Sequence, residues 1–144
     1  KKNNALFILD ETITGFRFDL SGAQKVFGVT PDLATFGKGI SNGMPLSAVV
    51  GKADIMKIFE EVFFSFTFGG ETLSIVSSIA CIEKYQKHNV CEYLAKQGQK
   101  ILDQTNNIIK KFNCDNLIEI TGHPSWSFLI FKDFKKYHLN FLYH

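Results

Sequence analysis

Residues 31–51 read PDLATFGKGISNGMPLSAVVG, and the fold of the chain is decided around this stretch. The apolar run Leu33–Phe36 predicts a short buried strand, and a second apolar run follows at residues 46–50. Lys38 stands between two glycines, which let the backbone turn sharply and approach a bound group closely. A lysine at the end of a buried strand needs a partner or a role, because burying an unpaired charge is unfavourable. Attack of its amine on a carbonyl group is one such role, whereas an ordinary lysine here would reach into water.

An acidic pair follows another apolar run. Residues 5–9 are apolar throughout, which predicts a strand inside a parallel sheet covered by helices, and Asp10 and Glu11 come directly after them. Carboxylates at the carboxyl end of a parallel strand lie where α/β folds bind ligands. The same pattern is typical of the Walker B segment of a P-loop ATPase. The Gly-Lys pair at 37–38 is followed by glycine and not by Ser or Thr, so this alternative requires a P-loop upstream of residue 1.

A third candidate segment is the loop FFSFTFGGETLS, residues 63–74. Here Thr67 and the flexible pair Gly69–Gly70 precede a helix predicted to begin near Glu71. Hydroxyl and backbone N–H groups ahead of a helix N-terminus suit a phosphate, although a Gly-Gly pair in this position is more often a simple turn. The segment is therefore a phosphate-site candidate only in combination with others.

Helical periodicity alternates with these strands, which is the pattern of an α/β fold. Helices are predicted over residues 21–26, 53–61, 71–87 and 90–112. The third helix is apolar or small on all sides in its first half, which predicts burial. The fourth has an apolar stripe through Leu94, Ile101 and Ile108, with four more residues beside it: Leu102, Thr105, Ile109 and Phe112. Two β-rich runs separated at residues 122–124 follow this helix. A composition shift near residue 88 predicts a first domain over 1–88 and the truncated start of a second over 89–144.

Composition limits the function classes. The 144 residues are 45% hydrophobic, which is enough for one substantial core. The formal net charge is +2, with 16 basic and 14 acidic residues spread along the chain, so neither nucleic acid nor a membrane surface is an expected partner. The three cysteines form no C-x-x-C pair, and His88, His123, His138 and His144 lack metal-ligand spacing, so no metal site is expected. We expect a soluble, cytoplasmic protein.

Taken together, the three segments contain the parts needed to hold pyridoxal phosphate (PLP). The Lys38 amine would form a Schiff base with the aldehyde, and the Asp10 carboxylate would pair with the pyridine nitrogen and keep it protonated. The Thr67 loop would take the phosphate.

The ordered motifs ILDETITGFR, GVTPDLATFGKGISNGMPLSAVVG and TFGGETLS resemble the class III, fold type I PLP-dependent aminotransferases. Among these the sequence is most similar to the glutamate-1-semialdehyde 2,1-aminomutase-like proteins, and the resemblance runs over about residues 5–82. It implies a fragment of the large PLP-binding domain, with a mixed, mostly parallel sheet and helices on both faces. The start of a small α+β C-terminal domain would follow.

The resemblance also implies roles for single residues. It makes Lys38 the Schiff-base lysine, Asp10 the partner of the pyridine nitrogen, and Thr67 a phosphate ligand in the neighbouring subunit of a homodimer. Thr12 stands where the family usually has Val or Ile against the cofactor ring, and its methyl group is still expected to pack there. The substrate would be a small amino or keto compound.

Two enzyme classes share these residues, an aminotransferase and an aminomutase, and the sequence leaves the choice open. The chain begins with Lys1-Lys2 and ends on Phe141-Leu142-Tyr143-His144, which predicts a piece of a longer protein. A third hypothesis is therefore that residues 1–144 alone are catalytically inert.

Overall fold

The computed structural model describes residues 3–132, and the chain divides into two compact units, Lys1–Cys91 and Glu92–His144. Of the histidines considered as metal ligands, His138 and His144 lie outside the described residues. The domain boundary predicted after residue 88, and the assignment of the parts to a large and a small domain, stay predictions.

The first unit is built on a three-stranded sheet. Its strands are β1 (Ile8–Glu11), β2 (Leu33–Phe36) and β3 (Ala48–Gly51), with β2 in the middle. β1 pairs with β2 in parallel and β3 pairs with β2 antiparallel, so the described sheet is mixed. Both strands predicted around Lys38 are present, with bounds that differ by up to two residues from the apolar runs. The turn between them is where the site is built.

The core of this unit is formed by residues of β2 and of the turn that follows it. Ala34, Phe36 and Ile40 are buried together, and three partly buried residues pack against them: Phe16, Leu46 and Ala48. The Phe16 and Phe36 rings meet edge to face with centroids 5.8 Å apart, a favourable arrangement for aromatic side chains.

The first strand departs from its prediction. β1 forms one edge of the described sheet, and Leu6, Phe7 and Ile8 are 42–57% exposed. The expectation of a strand buried on both faces is therefore wrong for these residues, although the parallel pairing is correct. An all-apolar run predicts that something covers a strand, but the described residues of the unit do not provide that cover.

The predicted helices are present, with different burial. The first unit contains α1 (Ala23–Phe27), α2 (Ala53–Met56), which continues as a 3₁₀ turn at Lys57–Glu60, and α3 (Thr72–His88). In α3 the buried residues are Ser74 and Ser78, whereas Leu73, Val76 and Ile79 are more than half exposed. The predicted burial of α3 on all sides is therefore wrong. Its small serines allow close packing, and its larger apolar side chains face outward.

Helix α4 (Val90–Lys111) leads into a hairpin of β4 (Ile118–His123) and β5 (Trp126–Phe131), which pair antiparallel as the two β-rich runs predict. The buried residues of α4 are Leu102 and Ile109, whereas Ile101 and Ile108 of the predicted stripe are more than half exposed. The two buried residues belong to the positions predicted beside the stripe, so the apolar face is predicted correctly but is buried only along one of its sides. Gly98 lies against the backbone of Pro124, where a Cβ atom would overlap the carbonyl group.

Candidate functional site

Asp10 and Lys38 are brought to the same end of the parallel strand pair. The register places Asp10 of β1 directly opposite Thr35 of β2, and Lys38 follows the end of β2 by two residues. Carboxyl ends of parallel strands form the edge at which open α/β sheets bind ligands. Two residues that are 28 positions apart in sequence therefore meet at one edge of the sheet.

The Asp10 carboxylate is held by hydroxyl and amide donors while its side chain stays exposed. Its Oδ1 atom accepts a hydrogen bond from the Thr12 backbone N–H at 2.9 Å and from the Thr35 hydroxyl at 3.1 Å. The pKa of Asp10 is lowered, first by the hydrogen bond from the Thr12 side chain, then by the Thr12 amide and Thr35, and least by the field of Lys38. Asp10 is consequently an oriented carboxylate, ionised at neutral pH, that can still accept a further hydrogen bond from a ligand.

Lys38 opens a 3₁₀ turn, Lys38–Ile40, in a backbone conformation that is unfavourable for a lysine. Its φ of 44° lies in the left-handed region, and the preceding Gly37 is extended. The Lys38 carbonyl accepts a hydrogen bond from the Asn42 amide at 3.0 Å, which closes the turn. Side chains other than Gly and Asn rarely adopt this conformation unless surrounding structure imposes it, and such strain concentrates at functional sites.

The packing around the turn shows what imposes it. A Cβ atom on Gly39 would lie 3.2 Å from Cβ of Phe16 and 3.6 Å from the Tyr85 hydroxyl, so the turn is confined between the loop after β1 and helix α3. The Ser77 hydroxyl on α3 also donates to the Ser41 carbonyl at 3.2 Å. The backbone at Lys38 is thus fixed from both sides. The Lys38 side chain is exposed, however, so the burial expected for it is not provided by the described residues.

Glu11, the next residue after Asp10, has a structural role and does not face the candidate site. Its side chain is fully buried and accepts hydrogen bonds from the Thr14 hydroxyl and from the backbone amides of Ala23 and Gln24, each amide at 2.8 Å. It therefore ties the end of β1 to the start of α1. A Walker B carboxylate must be free to act at a metal and a water, so this geometry argues against the ATPase alternative. Among residues 3–132 we find no group of three or more His, Cys, Asp and Glu side chains arranged to hold a metal ion.

Thr12 lies between the acidic pair and the lysine turn. Its Cγ2 atom would be 3.1 Å from a Cβ on Gly37, so the absence of a side chain at Gly37 allows this approach. Thr12 and Thr35 also line a cavity of about 450 Å³, whose other lining residues include Met56, Phe59 and Phe64. The hydrogen-bonding neighbours of Asp10 are therefore also walls of an apolar cavity.

Thr67 lies in the exposed segment that precedes α3. The sequence predicts that this segment and the N-terminus of α3 bind a phosphate together. The structure places Glu71 there instead: its carboxylate accepts hydrogen bonds from the amides of Leu73, at 2.9 Å, and Ser74, at 2.7 Å. Hydrogen bonds from the Ser74 hydroxyl and these amides lower the pKa of Glu71. These amides are therefore occupied, and a phosphate at this segment would have to use Thr67 and the loop backbone. That role stays a prediction.

Sequence reasoning missed Thr35, Tyr85 and Ser77. Thr35 could have been found from the strand register, because it is opposite Asp10 once Ile8 pairs with Leu33. Tyr85 and Ser77 have no local signal, because their contacts to the Lys38 turn depend on where α3 packs. None of the helices within residues 3–132 combines the length and the apolar character that crossing a bilayer requires.

The family model and the similar proteins found by comparison point to the same family. The family model described as aminotransferase class-III matches residues 1–123. The chain is 37% identical over 130 residues to 3-aminobutyryl-CoA aminotransferase of Cloacimonas acidaminovorans, which covers 90% of this chain and 31% of that relative. It is 38% identical over 136 residues to glutamate-1-semialdehyde 2,1-aminomutase of Sulfolobus acidocaldarius, covering 92% of this chain and 32% of the relative.

Among solved structures, the chain resembles an omega-transaminase from Sphaerobacter thermophilus with a TM-score of 0.80 and 27% identity. The match covers 90% of this chain and 30% of that protein. The chain therefore spans about a third of the length of the proteins it matches.

Proposed function

This chain belongs to the class III aminotransferase family, and from that membership we propose that the protein carrying it transfers amino groups with pyridoxal phosphate attached to Lys38. Enzymes of this family depend on pyridoxal phosphate. The observation that carries the proposal is the strained, glycine-flanked Lys38 turn at the sheet edge where Asp10 is held as a carboxylate. The family's lysine and aspartate are thus supported by geometry as well as by motif.

The residues present fit this cofactor. Lys38 offers a primary amine that can bond covalently to an aldehyde, and Asp10 offers an exposed, ionised carboxylate for a ring N–H. Cysteine, histidine or carboxylate clusters that would indicate a metal instead are not found among residues 3–132. When bound, pyridoxal phosphate supplies an electron sink that stabilises negative charge developing at the substrate carbon.

Each residue of this chain then has a defined task. Asp10 would orient a protonated ring nitrogen and neutralise its charge, and the Thr12 amide and the Thr35 hydroxyl hold its carboxylate in place. The Lys38 amine would serve as the general base and acid that moves a proton at the substrate carbon.

The proposal covers both aminotransferase and aminomutase chemistry, because the two relatives so named match at 37% and 38% identity. The substrate class is in either case a small amino or keto compound. The two chemistries differ in the number of substrates that they require. An aminomutase turns over a single substrate, whereas an aminotransferase needs an added keto acceptor.

We further propose a homodimer in which Thr67 serves the neighbouring subunit's site. The aromatic segment around it is unusually exposed: Phe63 is 96% exposed, and Phe64, Phe66 and Phe68 are each 45–58% exposed. Exposed aromatic clusters of this kind are typical of interfaces. The apolar exposure on β1 and α3 supports the related proposal that residues 1–144 alone are inactive. A cytoplasmic location is also proposed, since Cys81, Cys91 and Cys114 are free thiols.

The test of the main proposal is covalent mapping. The protein carrying this chain is mixed with pyridoxal phosphate, reduced with borohydride, digested, and analysed by mass spectrometry. We expect the cofactor on the peptide that contains Lys38. Stable modification of another lysine in place of Lys38 would refute the assignment. ATP turnover without any cofactor absorbance would favour the P-loop alternative.

A further inference from the structure

Phe16 and Lys38 both adopt left-handed backbone conformations, and the segments that carry them pack together. Phe16, in the loop after β1, has a φ of 59°, and Lys38 has a φ of 44°. This conformation is unfavourable for a bulky side chain and persists only where surrounding contacts impose it. The Phe16 Cβ atom lies 3.2 Å from the position that a Cβ on Gly39 would take, so the two strained segments are in contact.

The Phe16 ring is held between two other rings. It meets Phe36 of β2 edge to face with centroids 5.8 Å apart, and Tyr85 of α3 edge to face with centroids 5.7 Å apart. The loop can lie this close to β2 because Gly15 precedes Phe16, and a Cβ on that glycine would overlap the Phe36 ring. The Tyr85 hydroxyl also reaches the lysine turn, 3.6 Å from the Cβ position of Gly39. Three rings therefore form one stack beside the turn.

We propose that Phe16 and Tyr85 are positioning residues that impose the left-handed conformation of Lys38. Both contact the backbone at Gly39, next to the lysine. The edge-to-face contacts, which are favourable for aromatic rings, hold Phe16 in its own strained conformation. The backbone conformation at Lys38 sets the direction in which its Cα–Cβ bond leaves the chain. In its tie to pyridoxal phosphate, this inference rests on the proposed function.

Hydrogen bonds within the turn report on this conformation. The Ile40 amide donates to the Gly37 carbonyl at 3.1 Å, and the Asn42 amide donates to the Lys38 carbonyl at 3.0 Å. Amide hydrogens exchange with solvent when such bonds open locally. If the ring stack imposes the turn, removing one ring must therefore speed the exchange of these amides.

Four variants separate the ring stack from general stability. Phe16→Leu and Tyr85→Leu each remove one ring and keep an apolar side chain, whereas Tyr85→Phe keeps the ring and loses only the hydroxyl. Asp32→Ala is the control for a general loss of stability. Asp32 precedes β2, at the other end of this strand from the turn, and accepts a hydrogen bond from the Phe7 amide at 2.8 Å.

The first experiment measures amide hydrogen exchange by mass spectrometry on the cofactor-free protein that carries this chain. The peptide containing residues 38–42 should exchange about tenfold faster in F16L and Y85L than in the wild type, and at the wild-type rate in Y85F and D32A. Circular dichroism confirms that each variant is folded, and Y85L provides the test if F16L does not fold. Unchanged exchange in a folded ring variant would overturn the inference, as would an equal increase in D32A.

The second experiment compares pyridoxal phosphate with pyridoxine phosphate, which has an alcohol in place of the aldehyde and cannot bond to Lys38. The Lys38 amine condenses with the aldehyde and releases water, and borohydride then fixes the adduct for mass spectrometry. In F16L and Y85L this attachment should be about tenfold slower, because a displaced reacting group loses rate. The affinity for pyridoxine phosphate should stay at the wild-type value.

The outcomes distinguish positioning from a merely structural role. Equal weakening for both compounds, or an unchanged rate of attachment in the ring variants, would overturn the inference. Failure of borohydride to fix any cofactor on Lys38 in the wild type would instead refute the proposed function. Hydrogen exchange of the cofactor-free protein would then decide whether Phe16 and Tyr85 impose the turn.

Discussion

The Lys52 ammonium lies 2.5 Å from the Asp32 carboxylate, and this pair joins the residue before β2 to the residue after β3. Asp32 also accepts a hydrogen bond from the Phe7 amide, ahead of β1, at 2.8 Å. One carboxylate therefore ties all three strands at the edge opposite the Lys38 turn. Its side chain is only 6% exposed, whereas that of Lys52 is 48% exposed, so the carboxylate is the structural centre of this group.

We expect Asp32→Ala to lower the free energy of unfolding by about 1–3 kcal/mol, because the Phe7 amide loses its acceptor and the Lys52 ion pair is removed. Asp32→Asn should have a smaller effect, since an amide oxygen can still accept from Phe7. Denaturant unfolding of the protein carrying the chain measures both. Equal loss in the two variants would show that the charge, and not the strand tie, is what matters.

The pH dependence of this pair has a defined sign. The hydrogen bond from Lys52 to Asp32, followed by their charge attraction, raises the pKa of Lys52 above its usual 10.5. Stability from this shift is therefore fully present below 10.5 and is lost as pH rises through the higher value in the folded protein. Unfolding measured from pH 9 to 12 should show a steeper decline in the wild type than in Lys52→Met. Parallel profiles would contradict the shift.

Gly22 and Gly28 form a matched pair for testing the Glu11 anchor. Both have positive φ, at 79° and 62°, but a Cβ on Gly22 would overlap the buried Glu11 carboxylate, whereas a Cβ on Gly28 would meet open space. Gly28→Ala should destabilise the fold by the strain energy of a left-handed residue, about 1–2 kcal/mol, and Gly22→Ala should cost at least as much, because its ψ of −157° lies in a region that is almost exclusive to glycine. Gly22→Ala should be less stable than Gly28→Ala by a further 1–3 kcal/mol or so, because the Glu11 hydrogen bonds are displaced. Thermal and denaturant unfolding give this difference, and equal stability would mean that Glu11 does not organise the turn.

Much of this arrangement is predictable from sequence. The glycines around Lys38 and the apolar runs beside it predict a strand, a sharp turn and a second strand, and all three are present. Family motifs predict Asp10 and Lys38 as partners, and both lie at the same edge of the sheet. These features are local or depend on the pairing of neighbouring strands, which periodicity and turn chemistry describe well.

What the sequence does not reveal depends on contacts between distant segments. The burial predicted for β1 and α3 follows from their apolar residues, but composition does not say which part of a protein covers them. Glu71 is another case: glutamate is not among the preferred N-cap residues, so the sequence contains no signal that its side chain caps α3. Its carboxylate instead occupies the amides of Leu73 and Ser74.

Asp10→Asn tests the electrostatic role of the carboxylate. The asparagine keeps a hydrogen-bond acceptor but loses the charge that would hold a ring nitrogen protonated. We expect cofactor still to attach to Lys38, with turnover reduced by about a hundredfold or more, as when a preorganised electrostatic group is removed from a site. Absorbance and steady-state rates measured on one preparation separate the two effects. Unchanged turnover would exclude the proposed role of Asp10.

The dimer proposal can be tested by mixing two inactive variants. If Thr67 serves the neighbouring subunit, a hybrid of Lys38→Ala and Thr67→Ala subunits contains one complete site, made of Lys38 from one chain and Thr67 from the other. Random pairing of the two chains makes about half of the dimers hybrids, so co-expression should restore about a quarter of the wild-type activity. If Thr67 instead acts within its own chain, every site contains one altered residue and no activity is regained. The control is a mixture of Lys38→Ala with Lys38→Ala/Thr67→Ala, which lacks Lys38 in every chain and must remain inactive in either case.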